Sequence, residues 1–193
     1  MSSRQIAVRN NLQNLTIHWN NTLTQAQRDG WGVYAQNLSW QNRLGEAIVL
    51  TGANMYLRSN AAVLQAGLAR IDDAPTIYTL ATAEQALVPS AAEATQDLSI
   101  AYDDTAAWCS EDGAAQLIYM GLPKNTGVNY FSGPYRLLKV ILGNSTTPPT
   151  SPEAAIPTVF PFAQDNAIWV RSRILRADGR LSTFAQSRFL AGA

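Results

Sequence analysis

Few side chains in this 193-residue sequence are suited to acid–base, nucleophilic or metal chemistry, and those few are scattered. The one histidine, His18, stands beside Trp19 in a polar stretch. A Ser-His-Asp or Cys-His arrangement would have to recruit it from there, and no nearby carboxylate in sequence orients it. An exposed or interface histidine is the simpler expectation. Cys109, the one cysteine, lies between Trp108 and Ser110 near an expected strand end. It reads as a buried, inert thiol, and it excludes both an intrachain disulfide and a cysteine metal cluster.

The carboxylates Asp103, Asp104, Glu111 and Asp112 flank a short loop and are the best metal candidates, since Ca²⁺ takes several carboxylate oxygens. Their spacing departs from the twelve-residue loop of helix–loop–helix calcium sites, and Asp112-Gly113 is explained by turn chemistry. A glycosidase pair would need a sugar cleft that nothing supplies. Phosphate loops, zinc spacings and dinucleotide fingerprints are absent, so no cofactor and no catalytic centre are expected.

The concentrated basic patch is Arg171, Arg173, Arg176 and Arg180. Alternation places Arg171 and Arg173 on one strand face with Trp169, an arrangement that could stack on a ligand. The other reading is neutralisation by the acidic middle of the chain, within the sheet or across a subunit contact, and it is the favoured one.

The elements that must position these residues differ along the chain. Residues 1–22 read as a polar arm, extended or frayed, with Leu12, Leu15, Ile17 and Trp19 as anchors for a neighbouring subunit. A helical segment follows over 23–70. Thr24 and Gln27 form a capping box, after which Trp31, Tyr34, Ala35 and Leu38 share a helical face. Core packing is the bland explanation of these aromatics and partner binding, extended by Trp40, the sharper one. Asn42 to Gly45 is a turn and Ala47 to Leu50 a short strand. Thr51 caps a second helix with Leu57, Ala61, Leu64 and Leu68 on one stripe, ending at Gly67.

At "IDDAPT" helical periodicity stops, and residues 71–193 carry strand signals. Leu98, Ile100 and Tyr102 share one face; Asp112-Gly113 predicts a hairpin into a strand over Ala115 to Leu122; "YRLLKVIL" is a third run. The proline-rich 143–160 is expected as a long surface loop, and Asp178-Gly179 turns the chain into a last strand. Short strands at such intervals predict an antiparallel β-sandwich, giving an α+β chain. The closing hairpin resembles the last strands of fibronectin type III and other immunoglobulin-like modules.

Charged residues make up only 15% of the chain and the net charge is zero, so polar surface comes mainly from Asn, Gln, Ser and Thr, which suits a subunit packed in an assembly or a plain secreted domain. The charge is arranged basic–acidic–basic, a pattern that can pair within the chain or between copies. No Lys/Arg run is dense enough for a nucleic-acid footprint, and no apolar run suits a signal peptide or membrane span, which predicts folding in the cytoplasm.

Together, "LTQAQRDGWGVYA", "NRLGEAIVLTGANMYLRSN" and "RSRILRADGRLS" resemble a group of phage and prophage proteins in which a short helical part precedes an immunoglobulin-like β-domain. The resemblance implies a virion component: a repeated, non-enzymatic subunit of the capsid surface or of the neck and tail. It would fold in the host cytoplasm and contact copies of itself and other virion proteins. The group carries no assigned binding residue. The alternative function is a glycan- or host-surface-binding sandwich acting through loops 123–134 or 143–160.

Overall fold

A computed structural model describes residues 3–41 and 44–193. The chain forms two compact units, one of residues 1–80 and 178–181, the other of 81–177 and 182–193. Residues 71–80 thus lie in the helical unit, although strand texture had been expected from 71.

Three helices build the first unit: α1 (Ser3–Asn21), α2 (Gln25–Asn37) and α3 (Gly52–Gln65), with a two-residue pairing of β1 (Trp40–Gln41) and β2 (Ala47–Ile48) between α2 and α3. The expected turn at 42–45 falls partly outside the described residues. The extended arm is corrected: residues 3–21 form a helix of 19 residues. No Gly or Pro interrupts this run, and Leu15, 2% exposed, docks it into the helical core.

The capping box at the start of α2 forms as expected, with the Gln27 amide donating to Thr24 Oγ1 (3.2 Å) and the Thr24 amide to Gln27 Oε1 (3.0 Å). Thr51 caps α3 by accepting from the Asn54 amide. Gly67, at φ +77°, ends that helix: its amide donates to Leu64 O and the Leu68 amide to Val63 O, which closes the last turn. The stripe on α3 needs correction. Its buried face is Met55, Tyr56, Ser59, Asn60, Ala62 and Val63, while Leu57 and Leu64 only flank the core. Counting aliphatics passed over Tyr56 and the polar Asn60, whose amide bonds the backbone of Ile71 in both directions (2.9 and 2.7 Å).

The second unit has two antiparallel sheets. One is ordered β3 (Val88–Ala92), β4 (Asp97–Ala101), β7 (Glu153–Pro157); the other is β6 (Tyr135–Leu142), β5 (Ala115–Gly121), β8 (Ala167–Leu175), β9 (Ala185–Leu190). Leu98, Ile100 and Ile156 from the first sheet and Ile118, Met120, Ile168, Val170 and Ile174 from the second form one buried core. Two expectations fail here. Asp112-Gly113 makes a turn, but β5 pairs with β6 and β8 and has no partner upstream of that turn. Residues 143–160 are not all loop, since β7 lies within them as an edge strand, where Pro157 removes no central ladder bond.

Candidate functional site

The sequence candidates separate into core, loop fastenings and one surface. In the helical unit, Trp31 and Tyr34 are fully buried and Leu38 nearly so. Trp31 packs edge-on against Tyr34 and Tyr56 (6.0 and 5.6 Å between ring centres), Trp19 lies 5.4 Å from Tyr56, and the Trp31 indole donates to Asp72 O (2.9 Å). Burial pushes the Tyr34 and Tyr56 hydroxyls up to about 12, so they stay protonated at neutral pH. Leu15, Trp31, Tyr34 and Leu38 therefore present nothing to a partner. Trp19 and Trp40 are partly buried against the same core, Trp40 beneath the Arg58 guanidinium at 4.4 Å. Leu12 (42% exposed) and Ile17 (48%) remain on the surface with Ile6 and Val8.

His18 gains a partner that its sequence neighbours did not offer. Its Nε2 lies 3.1 Å from Asp72 Oδ1, and Arg70 Nε donates to the same oxygen at 2.8 Å. Burial opposes ionisation of Asp72, but the hydrogen bond and charge of Arg70, aided by His18, outweigh it and hold the carboxyl below its usual value. This arrangement fastens residues 70–72 to α1.

The four metal candidates do not converge. Asp103 accepts from the Thr105 amide and hydroxyl, Asp104 from the Ser151 amide (3.0 Å), and Asp112 from the Ser145 amide and hydroxyl (2.9 and 2.7 Å). Glu111 pairs with Arg176 and accepts from the Ala177 amide. Asp103 thus braces its own turn, while Asp104, Glu111 and Asp112 tie the 103–112 turns to residues 145–151 and 176–177. Among the described residues no group of three or more His, Cys, Asp or Glu is placed to hold a metal ion. Cys109 is buried in the same turns; desolvation, with the nearby Asp104 and Glu84 carboxylates, pushes its thiol up to about 11.

The basic patch also divides. Arg176 is neutralised by Glu111 and Arg180 by Asp178 (2.6 Å), whereas Arg171 and Arg173 have no carboxylate within ion-pair distance among the described residues. They stand instead in a ladder of rings on the outer face of the four-stranded sheet. The register sets Tyr119 opposite Arg171 and Trp169 opposite Arg188, with Arg171 in turn opposite Gln186. The Arg171 guanidinium lies 3.9 Å from the Tyr135 ring and donates Nε–H to Gln186 Oε1 (2.8 Å). Arg173 lies over Phe184 at 4.4 Å and Arg188 over Trp169 at 5.6 Å.

Trp169 is 1% exposed because Phe131 stacks on it, so it supports the ladder from beneath. Desolvation lowers the basicity of Arg173, whose buried Nε has no hydrogen-bond partner among the described residues. Alternation had picked out Trp169, Arg171 and Arg173, but Tyr135, Phe184 and Arg188 come from other strands and loops, and only cross-strand register brings them together. Arg188 also donates to Thr126 O (2.6 Å) and Val128 O (3.2 Å), holding the 124–130 loop beside the ladder, with Tyr130 81% exposed.

In chemical terms this face offers planar, stacked guanidinium groups. Arg171 donates its Nε–H to Gln186, and its planar guanidinium fork suits a carboxylate. No helix is long and apolar enough to cross a membrane among the described residues. Comparison of the chain with protein-family models, with curated proteins and with solved structures gives no match.

Proposed function

We propose that the chain is a non-enzymatic structural subunit of a tailed-phage-like virion, repeated on the capsid surface or in the neck and tail. The observation that carries this reading is the uncovered aliphatic surface of α1. Ile6, Val8 and Leu12 precede the docking point at Leu15, and Ile17 follows it, all more than 40% exposed. A helix docked by its C-terminal half, with aliphatics exposed upstream, suits insertion between neighbours, where apolar anchors supply most contact energy. The resemblance of "LTQAQRDGWGVYA" and "NRLGEAIVLTGANMYLRSN" to the phage group gives the setting. The sheet orders β3-β4-β7 and β6-β5-β8-β9, with the chain crossing between sheets at β4–β5, β6–β7 and β7–β8, support an immunoglobulin- or fibronectin III-like module.

The test is peptide mass spectrometry of purified particles. The chain should be present at a fixed copy number, and Ile6→Ser with Leu12→Ser should lower its incorporation without unfolding it. Absence of its peptides from particles would overturn the reading. A second reading, binding to a glycan or host surface, draws on the exposed Tyr130 beside the guanidinium ladder.

A further inference from the structure

The two outer faces of the sandwich differ in chemistry. The four-stranded sheet presents Arg171 and Arg188 on aromatic rings, with the largely desolvated Arg173 beside them over Phe184, and none of the three has a carboxylate in ion-pair distance among the described residues. On the three-stranded sheet, Leu98, Ile100 and Ile156 point inward, so alternation turns Ser90, Ala92, Asp97, Ser99 and Ala155 outward. These residues line a shallow surface depression. The Asp97 carboxylate has no hydrogen-bond or ion-pair partner among the described residues, and Val88 is the bulky side chain at the rim of that face, 64% exposed. One face therefore projects long cationic and aromatic side chains, and the other offers a flat floor of small residues with an unpaired acid.

We propose that these faces dock on each other between two copies of the chain, head to tail. The guanidinium ladder of one copy would lie on the outer β3-β4-β7 face of the next, with Arg171 meeting Asp97. A contact of this kind uses two different patches, so each copy keeps one free face and the association closes as a ring or continues as a stack. The match is of charge and of shape: the Arg171 fork is already oriented by Tyr135 and Gln186, and small side chains opposite it leave room for Phe184 and Tyr135. The inference rests on the repeated-subunit reading above and names the residues of one subunit contact.

Sedimentation of the full chain across a concentration series tests it. Wild-type chain should self-associate, and Arg171→Asp or Asp97→Arg should each weaken self-association about tenfold or more, since each sets like charges face to face. An equimolar mixture of the two variants should associate again, because the unaltered ladder of the Asp97→Arg chain meets the unaltered acidic face of the Arg171→Asp chain. Arg171→Gln serves in place of Arg171→Asp if that variant fails to fold.

A wild-type chain monomeric at every concentration, association indifferent to both substitutions, or a mixture that stays monomeric would each overturn the proposal. Arg171-dependent binding of an oligouronate by a monomeric chain would overturn it in favour of a carbohydrate site. A monomeric chain still found in purified particles would sink this contact and leave the subunit reading standing. Self-association of a chain absent from particles would do the reverse.

Discussion

Helices α2 and α3 approach until their backbones touch, and two glycines at that crossing should respond oppositely to the same substitution. A Cβ built on Gly52 would lie 2.7 Å from Gly32 N and 3.0 Å from both Gly32 Cα and Trp31 C. Those atoms are main chain in the middle of α2 and cannot swing away. A Cβ on Gly32 would meet nothing within 4 Å. In a helix interior, replacing Gly by Ala gains up to about 1 kcal/mol by restricting the unfolded chain. Gly32→Ala should show most of that gain. Gly52→Ala has less to gain, at the first turn of α3, and must push the helices apart, a distortion that typically costs about 1–3 kcal/mol. In a chain of this size these changes correspond to melting shifts of roughly 2–4 °C per kcal/mol, upward for Gly32→Ala and downward for Gly52→Ala. Urea unfolding followed by circular dichroism at the helical band, with fluorescence from Trp19, Trp31 and Trp40 as a second probe, would measure both. If Gly52→Ala proved neutral or stabilising, the described close crossing of α2 and α3 would be wrong.

Removal of residues 2–22 should destabilise the helical unit, contrary to the behaviour of a loose arm, and Leu15→Ala alone should cost about 2–4 kcal/mol by leaving a cavity in its core, read by denaturant titration. Asp72 has a lowered folded pKa, so its contribution is present above the unfolded value near 3.9 and is lost as acid takes pH down through the lowered folded value; Asp72→Asn should weaken the helical unit at neutral pH and flatten its stability profile below about pH 4. Cys109 should resist thiol reagents at pH 8 in the native protein and label fully in denaturant. Since the acidic loop is fastened by hydrogen bonds, adding Ca²⁺ or a chelator should leave the melting temperature unchanged in calorimetry, and a stoichiometric Ca²⁺ stabilisation lost on Asp103→Ala would contradict this.

Short-range signals in the sequence translated well into structure because they act within a few residues. The Thr24–Gln27 box, the Thr51 cap and the Gly67 stop all concern backbone groups one turn away. Helix α1 was missed because its apolar residues are scattered around the axis, which gives no amphipathic stripe to read. The Asp112-Gly113 prediction failed for a different reason: that pair fixes a turn but not which strands the turn joins, and β5 finds its partners downstream. The guanidinium ladder was half visible. Alternation along one strand sets Trp169, Arg171 and Arg173 on a common face, whereas the rings that receive the two cations, Tyr135 on β6 and Phe184 just before β9, are brought to them by pairings between strands.

Residues 178–181 belong to the helical unit although nearly a hundred residues separate them from Leu80. Leu181 is fully buried, and a Cβ at Gly179 would lie within 4 Å of Ile71, Ser59 and Trp31 side chains. On a ribosome adding about 5–20 residues per second, α1 to α3 emerge roughly 5–20 s before the segment that completes their unit. During that interval the aromatic core around Trp31 lacks one wall. Vectorial synthesis therefore gives the N-terminal half no chance to finish first, and a stop codon placed anywhere before 181 would strand both units unfinished.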